Sequence, residues 1–139
     1  MKALFDTNVV LDVLLDRHPF SAPTTQLFSE VERGRVQGYL CATTITTVYY
    51  LSVKVLGRRL ATEAVGKLLQ VFEVAPVNRR VLEIALAGEF LDLEDAVIDS
   101  SAIAVGVDAL VTRDEKGFAS AQTPVFLPHE FLAVLYSTE

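Results

Sequence analysis

The chain of 139 residues carries 12 basic and 18 acidic side chains, which gives a net charge of −6 at pH 7. This charge excludes a protein that holds nucleic acid by bulk positive charge, but not an enzyme that uses its acids to bind metal ions. Hydrophobic residues make up 51% of the sequence, which excludes a disordered chain.

The length is that of one domain, and we expect residues 1–139 to form it. A core of this size forms without disulfides, and the lone Cys41 cannot make an intrachain bridge, so a reducing cytoplasm is the expected setting. Acidic residues interrupt every long apolar stretch, so we expect neither a membrane span nor a secretory signal.

The first half of the chain predicts short strands that alternate with helices. Residues 2–5 form an apolar strand, and helical spacing follows to residue 14 and again over residues 21–33. A second strand is predicted at 38–41. Apolar spacing then predicts a helix over 43–56 that Gly57 stops, a further helix capped by Thr62, and a third strand at 73–77.

The second half continues the alternation. Asn78 caps a helix through residue 87, and an alanine-rich helix is predicted over 93–105. Strands are predicted at 109–112 and 125–127, and Pro128 opens a terminal helix. This order predicts an α/β fold with a parallel sheet of about five short strands flanked by helices, which binds ligands beyond the carboxyl ends of its strands.

Three acids stand where this fold would bring them together. Asp6 follows the first predicted strand, Asp114 follows the fourth, and Asp95 begins the alanine-rich helix. Clustered carboxylates repel one another unless a cation compensates their charge. Because carboxylate oxygens are hard ligands, the expected cofactor is Mg²⁺ or Mn²⁺ rather than zinc.

Each acid also has a purely structural interpretation. Asp6 suits a turn and helix cap, and Asp114 suits an ordinary loop. Asp95 and Asp99 lie four residues apart on one helical face, where acids in the first turns interact favourably with the helix dipole. The joint arrangement favours the metal site. His18 and His129 adjoin prolines, and we expect them at a surface turn or helix start.

Three short motifs resemble those of the PIN domain family. They are FDTNV at residues 5–9, LEDAV at 93–97 and VTRDEKGF at 111–118. Residues 124–132 are similar to the close of many such domains, so the resemblance runs essentially end to end. It implies a three-layer α/β sandwich.

The resemblance also implies a ribonuclease that binds one or two Mg²⁺ or Mn²⁺ ions and hydrolyses RNA. Many small members, including VapC-like toxins, are silenced by a partner antitoxin, and many dimerise; the same is expected here. Carried over position by position, the catalytic residues and metal ligands would be Asp6, Asp95 and Asp114. The lesser ligand candidates are Glu94 and Asp99, and the candidates for positioning substrate or water are Asn8, Thr47, Thr112 and Arg113.

Two departures from the family pattern keep other functions open. Many PIN domains carry a further acid early in the helix at 43–56, where Thr47 and other threonines stand here, and the last motif often has Asp where Gly117 stands. One alternative is therefore an RNA- or protein-binding module that cleaves nothing. Another is a phosphohydrolase of the haloacid dehalogenase type with Asp6 as nucleophile, but Asn8 stands where it needs a second acid.

RNA contact must come from few basic residues in this acidic chain. Lys54, Arg58 and Arg59 form the densest basic group and are the predicted RNA-binding residues, although a merely solvated face is an equal interpretation. Tyr49 and Tyr50 suit stacking on bases, but at least one is expected in the core or an interface. The basic residues expected nearest the acids are Arg17, Arg113 and Lys116.

Overall fold

The computed structural model describes residues 1–137. This part of the chain forms five parallel strands and seven helices. The strands are β1 (Lys2–Phe5), β2 (Gln37–Cys41), β3 (Glu73–Ala75), β4 (Ala109–Val111) and β5 (Val125–Phe126). They lie in the order β3-β2-β1-β4-β5, and every neighbouring pair is parallel. The predicted α/β fold with a five-stranded parallel sheet is confirmed.

The helices cover both faces of the sheet and make three layers. They are α1 (Thr7–Leu14), α2 (Ser21–Glu32), α3 (Ala42–Leu56), α4 (Arg58–Val71), α5 (Arg79–Ala87), α6 (Leu93–Val105) and α7 (Pro128–Ser137). Among these described helices, none is long and apolar enough to cross a bilayer.

Alternation along the strands divides the core into two parts. In β1, Ala3 and Phe5 contribute to one buried cluster, together with side chains of α1 to α4 and α7, whereas Leu4 contributes to the other, with α5 and α6. Successive side chains of a strand point to opposite faces, so both faces of β1 must be apolar. This explains why the strands read as short, continuous hydrophobic runs.

Two predicted helix caps have different outcomes. Asn78 caps α5 as predicted, because its side-chain oxygen accepts the Val81 N–H at 3.0 Å. The predicted cap at Thr62 is wrong: α4 begins at Arg58, and the Thr62 hydroxyl donates to the Arg58 carbonyl inside the helix. Gly57, at a φ of 83°, lets the chain pass from α3 to α4 with no further loop residues.

The register between β1 and β4 determines where the polar residues meet. Phe5 pairs with Val111, and the Asp6 N–H donates to the Val111 carbonyl at 2.9 Å. Asp6 and Thr112 therefore emerge side by side at the carboxyl edge of the sheet.

The packing predicts opposite effects for two glycine substitutions. A methyl group at Gly38 of β2 would lie 2.7 Å from the Phe72 ring and 2.8 Å from Val31, whereas one at Gly66 of α4 would meet nothing within 4 Å. We expect Gly38→Ala to lower the free energy of unfolding by about 1–3 kcal/mol through overpacking. Gly66→Ala should raise it by up to about 1 kcal/mol through helix propensity. Urea denaturation measures both, and destabilisation by both substitutions would contradict the open space beside Gly66.

Candidate active site

Asp6 is a buried acid at the junction of β1 and α1. It is the N-cap of α1, and its side chain is 3% exposed. One carboxylate oxygen accepts the Thr7 N–H at 2.7 Å, and the other accepts the Thr112 hydroxyl at 2.8 Å. The helix-cap interpretation of Asp6 therefore accounts for only the oxygen that accepts the Thr7 N–H. Each of the two oxygens can still accept a further hydrogen bond or bind a cation.

Thr112 joins the acids that follow β1 and β4. Its hydroxyl, fully buried, donates to Asp6 and accepts the backbone N–H of Asp114 at 2.9 Å. The threonine thus holds the Asp6 carboxylate and the start of the Asp114 loop in a defined relative position.

Gly117 borders the space that two further carboxylates share. One Asp114 oxygen accepts the Gly117 N–H at 2.9 Å, which closes a tight loop. A methyl group built on Gly117 would lie 2.9 Å from Oδ2 of Asp95 and closer still to Oδ2 of Asp114. These two oxygens therefore face the same small space, and the glycine that departs from the family pattern leaves it open.

The acids lie close enough to shift one another's protonation. Burial raises the pKa of Asp6 to about 6, and the charges of Asp114 and Glu94 add to this, although two hydrogen bonds oppose it. Burial, followed by the charge of Asp6, raises the pKa of Asp95 to about 7, and the other nearby acids contribute. We call Asp6, Glu94, Asp95 and Asp114 the acidic cluster.

No basic side chain neutralises the acidic cluster within residues 1–137, because none of the ion pairs found there includes its members. Arg113, next to Asp114 in the chain, instead donates two hydrogen bonds to the fully buried Asp12, at 2.5 and 3.1 Å. The cluster therefore keeps a negative charge that an added cation could offset.

The donor chemistry suits a hard divalent cation. The cluster offers carboxylate oxygens, the ligands that Mg²⁺ and Mn²⁺ prefer. Few nitrogen and sulfur ligands for zinc are available: His18 is exposed beside Asp16, His129 lies at the start of α7, and Cys41 is buried beside Thr43. In the described part of the chain, no three His, Cys, Asp or Glu side chains are already arranged around a metal position. Like charges without a cation are expected to stay apart, so binding requires the carboxylates to draw together.

Asp99 lies outside the acidic cluster. Its side chain is buried, and its two oxygens accept the backbone N–H groups of Gln122 and Thr123 at 3.2 and 3.3 Å. The residue anchors the loop before β5. Helical spacing places it one turn beyond Asp95, but its charge is not among those that raise the pKa of Asp6 or Asp95.

The remaining positioning candidates lie on α1 and α3. Asn8 is exposed on the first turn of α1. Thr47 is half-buried on α3, one turn after the buried Thr44, whose hydroxyl contacts the Thr7 hydroxyl at 2.9 Å. The hydroxyls of Thr44 and Thr7 thus connect α3 to α1 at this edge.

The basic group of Lys54, Arg58 and Arg59 is not brought to the cluster. Helix α3 starts at the carboxyl edge of the sheet, and Lys54 lies about 18 Å along its axis. Its ammonium group lies 4.4 Å from the Tyr50 ring, and Arg59 pairs with Glu63 at 3.1 Å. Tyr49, by contrast, packs against the core, and hydrogen bonds from Thr62 and then Arg58 lower the pKa of its hydroxyl.

Sequence reasoning missed two features of this edge. Asp92, not Asp95, caps α6, because its side chain accepts the Asp95 N–H at 3.2 Å. The second feature is the ion pair of the buried Asp12 with the half-buried Arg113, whose guanidinium also lies 3.9 Å from the Phe20 ring centroid. A signal for this pair was present: Asp12 interrupts the apolar run of α1 at a position that turns out to be fully buried.

Comparison with known proteins identifies the family. The sequence matches the PIN domain over residues 2–116. The chain belongs to the PIN domain family. The comparison with curated proteins finds no match.

Solved PIN-like structures share the fold. A toxin-antitoxin complex from Klebsiella pneumoniae is 26% identical, with a TM-score of 0.69 over 92% of this chain and 98% of that one. VapBC2 from Rickettsia felis, bound to a promoter DNA fragment, is 15% identical, with a TM-score of 0.71 over 91% and 98%. VapC20 from Mycobacterium tuberculosis, a toxin that cleaves the sarcin-ricin loop, is 14% identical, with a TM-score of 0.68 over 84% and 93%.

The raised pKa values predict how the stability of this PIN domain depends on pH. The folded state holds extra protons on Asp6 and Asp95, whose pKa values exceed the ordinary 3.8. The metal-free protein should therefore be more stable near pH 4 and lose that advantage as pH rises to about 7. Thermal unfolding across this range measures the effect, which Asp95→Asn should reduce and the exposed control Glu115→Gln should not. A wild-type melting temperature that rises over this range would contradict the interpretation.

Proposed function

We propose that this PIN domain is a Mg²⁺- or Mn²⁺-dependent endoribonuclease and the toxin of a toxin-antitoxin pair. The observation that carries the proposal is the convergence of Asp6, Asp95 and Asp114, from three distant segments, without a basic partner in the described residues. VapC20, which cleaves the sarcin-ricin loop, and the Klebsiella toxin-antitoxin complex have the same fold and support it.

In this proposal Asp6, Asp95 and Asp114 are the metal ligands and Glu94 adds negative charge beside them. A divalent cation bound there would supply the positive charge that acidifies water and offsets the charge developing on the phosphoryl oxygens. We leave Asp99 out of the ligand set because its charge is not among those that raise the pKa of Asp6 or Asp95, and because its oxygens anchor the loop before β5.

The chain's own residues prepare the site. Thr112 orients the Asp6 carboxylate and positions the Asp114 loop through one hydroxyl. Because Asp95 has a pKa of about 7 in the metal-free protein, it is often protonated near neutral pH and must release a proton when a cation binds. Hydrolysis then adds water across one P–O bond of the RNA, and the leaving oxygen takes up a proton.

An inhibitory protein partner and a homodimer belong to the same proposal. The Rickettsia VapBC2 and Klebsiella complexes support the antitoxin. Exposed apolar side chains on the outer helices, such as Leu82, Leu86 and Ile103, give this acidic protein surface for such contacts. A cytoplasmic location is part of the same proposal, because RNA and an antitoxin would be met there.

Neutralising one acid should stop the reaction. We expect Asp95→Asn to reduce Mn²⁺-dependent cleavage of RNA by at least about a hundredfold, because it removes a charged ligand. Glu115→Gln, a neighbouring exposed acid outside the cluster, should cleave like the wild type. Gel analysis of RNA products measures this. RNA binding without any product, unchanged by a chelator, would instead favour the non-cleaving module.

The space beside Gly117 provides a test of metal binding without turnover. A methyl group there would displace the Asp95 and Asp114 carboxylates, so Gly117→Ala should weaken Mn²⁺ binding by about tenfold or more. Calorimetric titration measures the affinity. Gly88→Ala, whose added methyl group would make only ordinary contacts from 3.5 Å, is the matched control. Equal Mn²⁺ affinity for Gly117→Ala and wild type would remove this space from the site.

A further inference from the structure

We propose that a pocket beside the acidic cluster binds one unstacked nucleobase of a single-stranded RNA, an inference that rests on the proposed function. The cavity has a volume of about 310 Å³. Phe20, Arg113 and His129 contribute its aromatic and basic side chains, and Leu127 and three prolines form its apolar walls. We call it the Phe20 pocket.

The pocket contains two flat groups, the Phe20 ring and the Arg113 guanidinium, which stack on each other, so a base would stack on an outer face of this pair. The Phe20 side chain is 42% exposed, and the Arg113 guanidinium lies 3.9 Å from its ring centroid. Unpaired bases in RNA complexes stack on aromatic rings and on arginine planes. A large exposed aromatic ring is also costly to leave in water, so a ligand that covers it gains binding energy.

Arg113 is held in place before any ligand arrives. Its Nε and Nη2 donate to the two oxygens of Asp12, which is fully buried, and Arg17 lies 3.6 Å from the same carboxylate. A guanidinium fixed in this way loses little conformational freedom when a base stacks on it. Its Nη1 makes no hydrogen bond in the described part of the chain, so this donor remains for a base edge or a phosphate.

The pocket and the acidic cluster are connected through one stretch of chain. Arg113 lines the pocket, and the next residue, Asp114, belongs to the cluster. If an RNA strand inserts a base beside Arg113, we expect an adjoining phosphate of that strand to lie near the carboxylates. The Lys54 group, by contrast, lies toward the far end of α3, so the pocket is the better candidate for contacts near the cleaved bond.

The chemistry of the walls favours a flat, largely apolar ligand over a cation. Leu127 and the rings of Pro19, Pro23 and Pro128 are apolar and suit a planar, weakly hydrated ring. His129 and Arg113 add hydrogen-bonding groups at one side. No carboxylate lines the pocket within the described residues, so nothing there repels the RNA backbone.

The test compares Phe20→Leu with Tyr136→Leu, which removes an exposed ring near the other end of α7. Fluorescence anisotropy with a labelled single-stranded oligoribonucleotide, in a chelator to prevent cleavage, measures RNA affinity. We expect Phe20→Leu to weaken binding by about fivefold or more, as for loss of a stacked base, and Tyr136→Leu to leave it unchanged. In Mn²⁺, Phe20→Leu should raise KM more than it lowers kcat.

A second measurement leaves the protein intact. In a series of oligoribonucleotides, one nucleotide at a time is replaced by an abasic nucleotide. At one position the replacement should weaken the binding of RNA to the wild type. The same replacement should not further weaken the binding of RNA to Phe20→Leu. If the wild type binds and cleaves RNA but neither change alters affinity, the pocket proposal alone fails. If the wild type cleaves RNA in Mn²⁺ but binds none in the chelator, the pocket proposal alone fails. If it neither binds nor cleaves RNA, both proposals fail. If Phe20→Leu keeps its affinity for RNA but loses its affinity for a protein inhibitor, the pocket binds a protein. That result would overturn the proposal that it binds a nucleobase.

Discussion

The site depends on negative charge that the described protein does not neutralise. Asp6 is almost fully buried at the end of β1, and its hydrogen bonds from Thr7 and Thr112 only partly offset the cost of burial and of the acids nearby. Such an arrangement destabilises the folded chain unless a cation binds. The rest of the fold must therefore supply enough stability to hold these carboxylates together, which is a common compromise at functional sites.

Rigid backbone contacts keep this charge in place. The pairing of Phe5 with Val111 brings Asp6 to Thr112, and a shift of one residue in that register would send the side chains of β4 to the opposite face. The buried Asp12 has a complementary effect, because it binds the guanidinium of Arg113, which makes no ion pair with the adjacent Asp114 among the described residues. An acidic site and an ion pair thus lie side by side without neutralising each other.

Much of the fold could be predicted because its signals are local. Short apolar runs and helical spacing sufficed for the five strands, and the rule that parallel strands end at one edge was enough to expect Asp6 near Asp114. The position of the α4 N-terminus was not predictable from apolar spacing, since the conformation of Gly57 determines it. Helical spacing could not distinguish the role of Asp95 from that of Asp99 either, because the two acids share a helical face. Only the folded structure shows that the loop at Gln122 binds Asp99. Asp12 stands out as an acid within the apolar run of α1, but its partner lies far away in sequence, so no local pattern identifies Arg113.

The ends of the sheet limit how this protein can associate with others. The outermost strands, β3 and β5, span only three and two residues. Edges this short offer few unpaired amide and carbonyl groups, which protects the sheet against strand-to-strand aggregation. For the same reason a partner gains little by adding a strand of its own. We therefore expect another protein to bind this chain through side chains on the outer helices. These side chains can change in sequence without disturbing the sheet.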